Sequence, residues 1–396
     1  MRKVFGKKKE CCGCGACAQI CPRKCIRMVA DMEGFEYPEI DRNLCIDCGL
    51  CKKTCPLKNP LSVSENKQAY AMTHLDEEYR YLCTSSGAFE VICRKFCGQS
   101  PCAVFGAVLD DALSVKHEYS LDINNLSKFR KSKYVQSVLG DSYRQVKGFL
   151  QEGIKVVFSG SPCQVDGLRH YLKKNWENLL LVDFVCHGVP SAGVFSAYIE
   201  DLSHSRGKEV KNVVFRNKVK VSDEWNCLGM KYVYSDGSEE QDLYPPCAYM
   251  TNFLNQLYLR PSCHACYYAS MHRVSDITLG DSWGMDSYKK ELSMKYTNGT
   301  SLIMLNTEKG KEIFALKDNS YEWESVPIEL LPKAQRQLVE PSVPHRCRKR
   351  FFKLIQFLPY SQAVDIATNR TRVFYYKTLL KQKMKKFLRA EKCDED

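Results

Sequence analysis

The sequence predicts an α/β protein, α+β overall, in two parts: a small cysteine-rich N-terminal domain and a larger domain on a mainly parallel sheet. Three observations carry this. Cysteines crowd the first 56 positions in two regular runs. From Ala69 onward, short apolar strands alternate with helical periodicity, the pattern of helices covering a parallel sheet. Twice, a strand runs through a Gly/Ser/Pro turn straight into a helix, at Lys155–Leu172 and Leu179–Leu202.

The two runs are Cys11, Cys14, Cys17, Cys21-Pro22 and Cys45, Cys48, Cys51, Cys55-Pro56. Both read C-x2-C-x2-C-x3-C-P, in which three thiolates grip one 4Fe-4S cluster and the fourth crosses to its neighbour. Cys11, Cys14, Cys17 and Cys55 therefore form one ligand set, and Cys45, Cys48, Cys51 and Cys21 the other. Each proline helps fix the chain as it leaves its loop. A disulfide framework would need an oxidising compartment, and the N-terminus carries no signal-peptide pattern. The expected location is cytoplasmic. The expected first domain is a two-cluster ferredoxin-type unit over residues 1–62, with a hairpin of Ile26–Val29 and Phe35–Ile40 between the runs. Cys12 and Cys25, off register, read as packing residues beside the clusters.

With 396 residues, the chain holds some three hundred more than a ferredoxin needs, enough for a real core. No apolar run is long enough to span a bilayer. The formal charge of +12 is concentrated in the segment from Arg346, where 14 Lys+Arg face 5 Asp+Glu. Three oxidised clusters would remove a further ~6 units. The body is then near neutral, which argues against nucleic acid as a partner. The basic, aromatic-containing segment 346–396 reads as a helical tail packed on the body. Its alternative reading is a peripheral contact with an anionic membrane or an acidic partner.

In the larger region, 68–345, Ala69–Met72, Ala103–Val108, Lys155–Phe158, Leu179–Val185 and Thr300–Leu305 read as strands, the last of these as the final one. Phe89–Phe96 reads as a helix capped by Ser85 or Ser86. Val213–Lys218 and Leu228–Tyr234 read as an antiparallel excursion. No GxGxxG occurs, so a Rossmann nicotinamide site has no support. Ser159-Gly160-Ser161-Pro162-Cys163 opens a helix at a strand's carboxyl end, where open α/β sheets bind ligands. Cys163, Cys186, Cys263 and Cys266 sit at strand ends or turns. Their number and the one CxxC pair suit either a zinc ion or a third cubane cluster. Cys83, Cys93, Cys97 and Cys102 read as core thiols.

The stretches Ser85-Ser86-Gly87, Ser132-Lys133-Tyr134, Gly160-Ser161-Pro162-Cys163-Gln164, Cys186-His187-Gly188, Cys263-His264-Ala265-Cys266, Ser275-Asp276-Ile277 and Gly280-Asp281 occur in this order. Together they resemble the beta-subunit family of coenzyme F-420 hydrogenases and dehydrogenases, from about Ala69 to Ala315. The resemblance implies a flavoprotein-type α/β domain that binds FAD. It also implies a third 4Fe-4S cluster on Cys163, Cys186, Cys263 and Cys266. Ser86, Gly87, Lys133, Tyr134, Gly160 and Ser161 would line the FAD site, with Lys133 offsetting pyrophosphate charge. Ala88 stands where the family often has a second glycine, and Ser161 where it has Thr. An alanine forced to positive φ would alter the flavin loop.

His187 reads as an acid/base group or as a residue orienting its loop, and Asp281 as a substrate or flavin contact or a turn former. Arg216 and Lys218 read as receptors for an anionic substrate or as an exposed strand edge. The function expected is an iron–sulfur flavoprotein oxidoreductase acting on a small molecule or coenzyme, partnered by a ferredoxin or another electron-transfer subunit. The alternative is a non-catalytic relay subunit of a larger redox complex.

Overall fold

The computed structural model describes residues 4–61, 68–221, 224–243, 247–282, 299–316 and 318–368. Expectations that fall on residue 62 and on the tail beyond 368 lie outside these residues.

The N-terminal part holds two cysteine loops, each ending in a single helical turn, α1 (Ala16–Gln19) and α2 (Leu50–Lys53). Between them β1 (Ile26–Ala30) pairs antiparallel with β2 (Glu36–Ile40), the expected hairpin. The larger part is built on one eight-stranded sheet, ordered β13-β3-β12-β11-β7-β6-β4-β5. Its strands are β3 (Gln68–His74), β4 (Cys102–Leu109), β5 (Val115–Ser120), β6 (Lys155–Ser159), β7 (Leu179–Phe184), β11 (Ile277–Asp281), β12 (Ser301–Leu305) and β13 (Tyr321–Ser325). A separate three-stranded antiparallel sheet is formed by β8 (Val210–Val221), β9 (Glu224–Tyr234) and β10 (Glu239–Asp242).

The expected parallel sheet is the centre of the large one. β4, β6, β7 and β11 pair parallel, while β5 on one side and β12, β3 and β13 on the other each pair antiparallel with their neighbours. The central strands are buried on both faces; Val156, Val157 and Phe158 of β6 are fully enclosed. That is why they read as unbroken apolar runs. Thr300–Leu305 is not the last strand, because β13 follows and pairs with β3. Lys133–Ser137 forms no regular element, and Gln136 donates its N–H to Pro190 O at 2.9 Å.

The helices are α3 (Glu77–Leu82), α4 (Ala88–Cys97), α5 (Ser142–Gln151), α6 (Pro162–Leu172), α7 (Ala192–Arg206), α8 (Ala248–Leu254), α9 (Glu308–Ala315), α10 (Leu331–Ala334), α11 (Arg348–Leu354) and α12 (Tyr360–Thr368). α6 begins with Ser161 and Gln164 in a reciprocal capping box and Pro162 in its first turn. The cap of α4 differs from expectation. Gly87, not Ser85 or Ser86, is the N-cap, with φ 82°. Ser86 is fully buried instead: its Oγ accepts from His74 N at 2.9 Å, and its N–H donates to Ser301 Oγ at 3.1 Å.

Two more findings refine the sequence reading. Cys97 and Cys102 form a disulfide, so they are not free core thiols; Cys83 and Cys93 are. The two parts of the chain also share one core. Phe35 and Tyr37 of the hairpin region cluster with Val194 and Phe195 of α7, Phe351 and Phe352 of α11, and Tyr360 of α12.

Candidate functional site: three thiol clusters and a cavity

The second cysteine set is the clearest. Cys21, Cys45, Cys48 and Cys51 all line one cavity of about 460 Å³ at the tip of the N-terminal part, which is the crossed pairing the spacing demands. Cys25 lines it too, its sulfur 3.4 Å from that of Cys21. Around its mouth Arg23, Arg42, Lys52 and Ile46 are exposed, as is Cys48 itself.

The first set lies against the larger part. Burial, then the proximity of the Cys11 and Cys55 thiols, pushes the Cys17 thiol up. Cys14 is buried against α6 so closely that a Cβ on Gly167 would come within 3.0 Å of its sulfur. The Cys12 thiol lies beside those of Cys14 and Cys163. It thus touches a member of the first set and a member of the third.

The third set converges. Cys163 follows β6, Cys186 follows β7, Cys263 lies within a short 3-10 turn and Cys266 caps its end; all four line one small cavity together with Cys12. Burial raises Cys263 to about 12, reinforced by Cys266; burial raises Cys266 to about 11, reinforced by Cys163. Four half-buried cysteines whose thiol pKa values are all raised are expensive as free thiolates. They suit a metal centre that takes them deprotonated and spreads their charge. Among the described residues, no three Cys, His, Asp or Glu side chains close on a single metal ion.

Beyond the third set opens a cavity of about 440 Å³, floored by the carboxyl ends of the central strands. Gly87, Lys133, Tyr134, Gly160, Ser161, His187 and Asp281 line it; Ser86, buried behind α4, does not. The starts of α4 and α6 both face it through Gly87, Ala88 and Ser161. Cys186, His187, Gly188, Val189, Gln136 and Ser161 line this cavity and the third thiol cavity alike, so a single wall separates them.

Residues 153–329 match the family described as the C terminus of the coenzyme F420 hydrogenase/dehydrogenase beta subunit, and residues 10–59 match the 4Fe-4S dicluster domain. The chain joins a 4Fe-4S dicluster domain to a domain of the coenzyme F420 hydrogenase/dehydrogenase beta-subunit family. Among solved structures, a chain of the F420-reducing [NiFe] hydrogenase complex from Methanosarcina barkeri is similar at 16% identity and a TM-score of 0.46, covering 75% of this chain and 96% of that one. No curated protein matches. Among the described residues, no helix is long and apolar enough to cross a membrane.

In this F420 hydrogenase/dehydrogenase-type domain the individual residues fall as follows. Ala88 escapes the expected strain: the positive φ belongs to Gly87, and Ala88 is the first helical residue of α4. Ser161 spends its polar atoms on the capping box, its N–H 3.0 Å from Gln164 Oε1. Lys133 Nζ donates to Lys128 O at 2.9 Å and Arg130 O at 2.7 Å, and burial lowers its pKa to about 7. His187 Nδ1 lies 3.0 Å from Gln337 Nε2, and its ring stacks edge-on to Phe253. Burial lowers its pKa, which keeps the ring neutral at pH 7. Asp281 is ion-paired with Arg216 at 2.5 Å, and its carbonyl accepts from Gln335.

Arg216 and Lys218 are therefore not an exposed strand edge; both are buried. Lys218 Nζ is held by Arg80 O and Ser85 O, while Arg216 still lines the cavity. Sequence reading missed the segment 335–342, in which Gln335 binds Asp281, Gln337 binds His187 and Ser342 Oγ donates to His187 O. It also missed Gln136 and Arg260, which tie the two parts together at Cys11 and Cys12. Nothing local in the sequence marks them.

Proposed function

We propose that this chain is an iron–sulfur flavoprotein oxidoreductase holding three 4Fe-4S clusters and one FAD. The observation that carries this is the shared wall: four convergent thiols stand directly behind a large cavity floored by strand ends and faced by two helix starts. When bound, the clusters supply one-electron transfer, and the flavin supplies its coupling to a two-electron exchange with substrate.

The chain's own residues do the rest. Cys11, Cys14, Cys17 and Cys55, then Cys21, Cys45, Cys48 and Cys51, then Cys163, Cys186, Cys263 and Cys266 hold the three clusters. The N–H groups that begin α4 and α6 face the cavity and favour a pyrophosphate there. Lys133, held by two carbonyls, keeps a further N–H for the same anion. Gly87 and Gly160 let the backbone approach closely. Tyr134 closes one side, and its OH lies 3.4 Å from Arg216 NH1. His187, neutral and oriented by Gln337, is the proton-handling group at the wall, and Asp281 holds Arg216 as a fixed cation for an anionic substrate. The exposed basic rim at Cys48 is where an acidic electron carrier of ferredoxin type would dock.

The family is described as a subunit, which favours a second reading: a relay that passes electrons to a separate enzyme. Anaerobic purification with iron, sulfide and flavin quantification tests the first reading. About twelve irons and one FAD per chain are expected; eight irons without flavin would overturn it. Substrate-dependent reoxidation of the flavin by the isolated chain then separates enzyme from relay.

A further inference from the structure

Arg260 is fully buried, the largest side chain so enclosed among the described residues. It comes from the larger part of the chain but reaches into the first cysteine loop. Its Nε donates to Cys11 O at 2.9 Å, NH1 to Gln136 Oε1 at 2.8 Å and NH2 to Glu36 O at 2.8 Å. NH2 also points at Cys11 Sγ, 3.9 Å away. The guanidinium lies over the Tyr37 ring, 4.3 Å from its centroid. Gly13 makes room for it: a Cβ there would come within 2.7 Å of NH1. On its other side, Arg260 lines the cavity of Cys163, Cys186, Cys263 and Cys266.

Among the described residues, no carboxylate lies within ion-pair distance of it; its partners are carbonyls, an amide, an aromatic face and a thiol. The Glu36 carboxylate acts on it through space but makes no ion pair with it, and a buried guanidinium with no anion in contact is costly. The cost is offset where the missing anion is the cluster itself. Two ligand sets flank Arg260, and a loaded cubane is anionic and gains one more negative charge on reduction. An arginine keeps its proton at any working pH.

We propose that Arg260 is a positioning residue that holds the first and third clusters at raised reduction potential, as one cation shared between them. A fixed positive charge stabilises the reduced, more negative state of each. It also screens one cluster from the charge of the other. The second cluster, whose ligand cavity Arg260 does not line, lies outside this effect and stays the more strongly reducing of the first two. Electrons arriving at the exposed rim then run downhill toward the cavity. For the third cluster this rests on the function proposed above; for the first it does not.

The test is an anaerobic redox titration followed by electron paramagnetic resonance on wild-type protein and on Arg260→Gln, Arg260→Lys and Gln136→Glu, with iron and sulfide counted in each. With iron retained, Arg260→Gln is expected to lower the reduced-to-oxidised ratio of the first and third clusters at least tenfold at fixed potential, about 59 mV for one electron. The second cluster serves as the unshifted internal reference, and Arg260→Lys should restore most of the shift. Gln136→Glu places a carboxylate against the guanidinium and should shift both clusters the same way, even if Arg260→Gln loses iron. Full iron with unchanged first and third clusters in either variant, or an equal shift of the second, overturns the proposal. A wild-type count of about eight irons would remove the third cluster and leave the first-cluster shift as the deciding measurement.

Discussion

Replacing Gly87 with alanine tests how tightly the mouth of the large cavity is built. Gly87 caps α4 at φ 82°, ψ 17°, in the left-handed region. For an L-residue that conformation costs about 1–2 kcal/mol. A Cβ there would also run into the edge of the Tyr79 ring and come within 3.0 Å of Cys83 Sγ. The ring has little freedom to yield, because it packs on His74 at 4.3 Å and under the Arg130 guanidinium at 5.0 Å. Overpacking of this kind adds about 1–3 kcal/mol, for a total of about 2–5 kcal/mol. Gly207 is the control: it caps α7 at φ 62°, ψ 23°, and no atom lies within 4 Å of its Cβ position. Gly207→Ala should therefore show the backbone cost alone. The assay is the thermal midpoint of both variants at one heating rate, with flavin content measured alongside. Gly87→Ala should melt lower than Gly207→Ala and hold less flavin. Equal midpoints would refute the argument from the Tyr79 ring.

Two further outcomes follow from the site. Cys263→Ala should lose about four irons and leave the eight of the N-terminal clusters in place; loss of none would end the third-site assignment. Lys133 titrates near 7 because burial disfavours its charged form, so its ammonium is present below that value and fades above it. FAD affinity is thus expected to weaken from about pH 6 to pH 8, by at most about tenfold per unit above the transition, and Lys133→Met should flatten the profile. A wild-type profile as flat as the variant's would refute the role. The same depressed pKa favours folding more as pH rises between about 7 and the ordinary lysine value of 10.5.

The cysteine ligands of the N-terminal part were legible because one cluster demands three sulfurs at fixed short spacings, and that demand is written locally. The central strands β6 and β7 were legible because burial on both faces leaves continuous apolar runs. The proposed third ligand set was harder. Its four cysteines span more than a hundred positions, and only the order of the motifs around them pointed to a common site. β13 was missed because an edge strand exposed on one face carries polar residues, Glu322 and Glu324 among them. Arg260 was invisible for a different reason. Its Cys11 partner lies 249 positions away, and an arginine before a proline looks like any surface turn until the fold closes over it. The cap of α4 went to Gly87 because Ser86 was already committed to holding β3 and β12.

The seam between the two parts of the chain has one more consequence. Gly34 of the hairpin turn meets Gly193 of α7 so closely that a Cβ on Gly34 would lie 2.8 Å from its Cα, and Glu33 is clamped by the two terminal guanidinium nitrogens of Arg348. Ser191 donates to Glu33 O, and His170 reaches across to Asn59 O at the far end of the same seam. A ferredoxin tethered by a loose linker would visit its acceptor and leave again, and its turnover would depend on how fast it swings. Here the carrier is bolted to what it serves. The gaps an electron must tunnel across are set when the protein folds, and the medium outside, however viscous or crowded, has no hand in them.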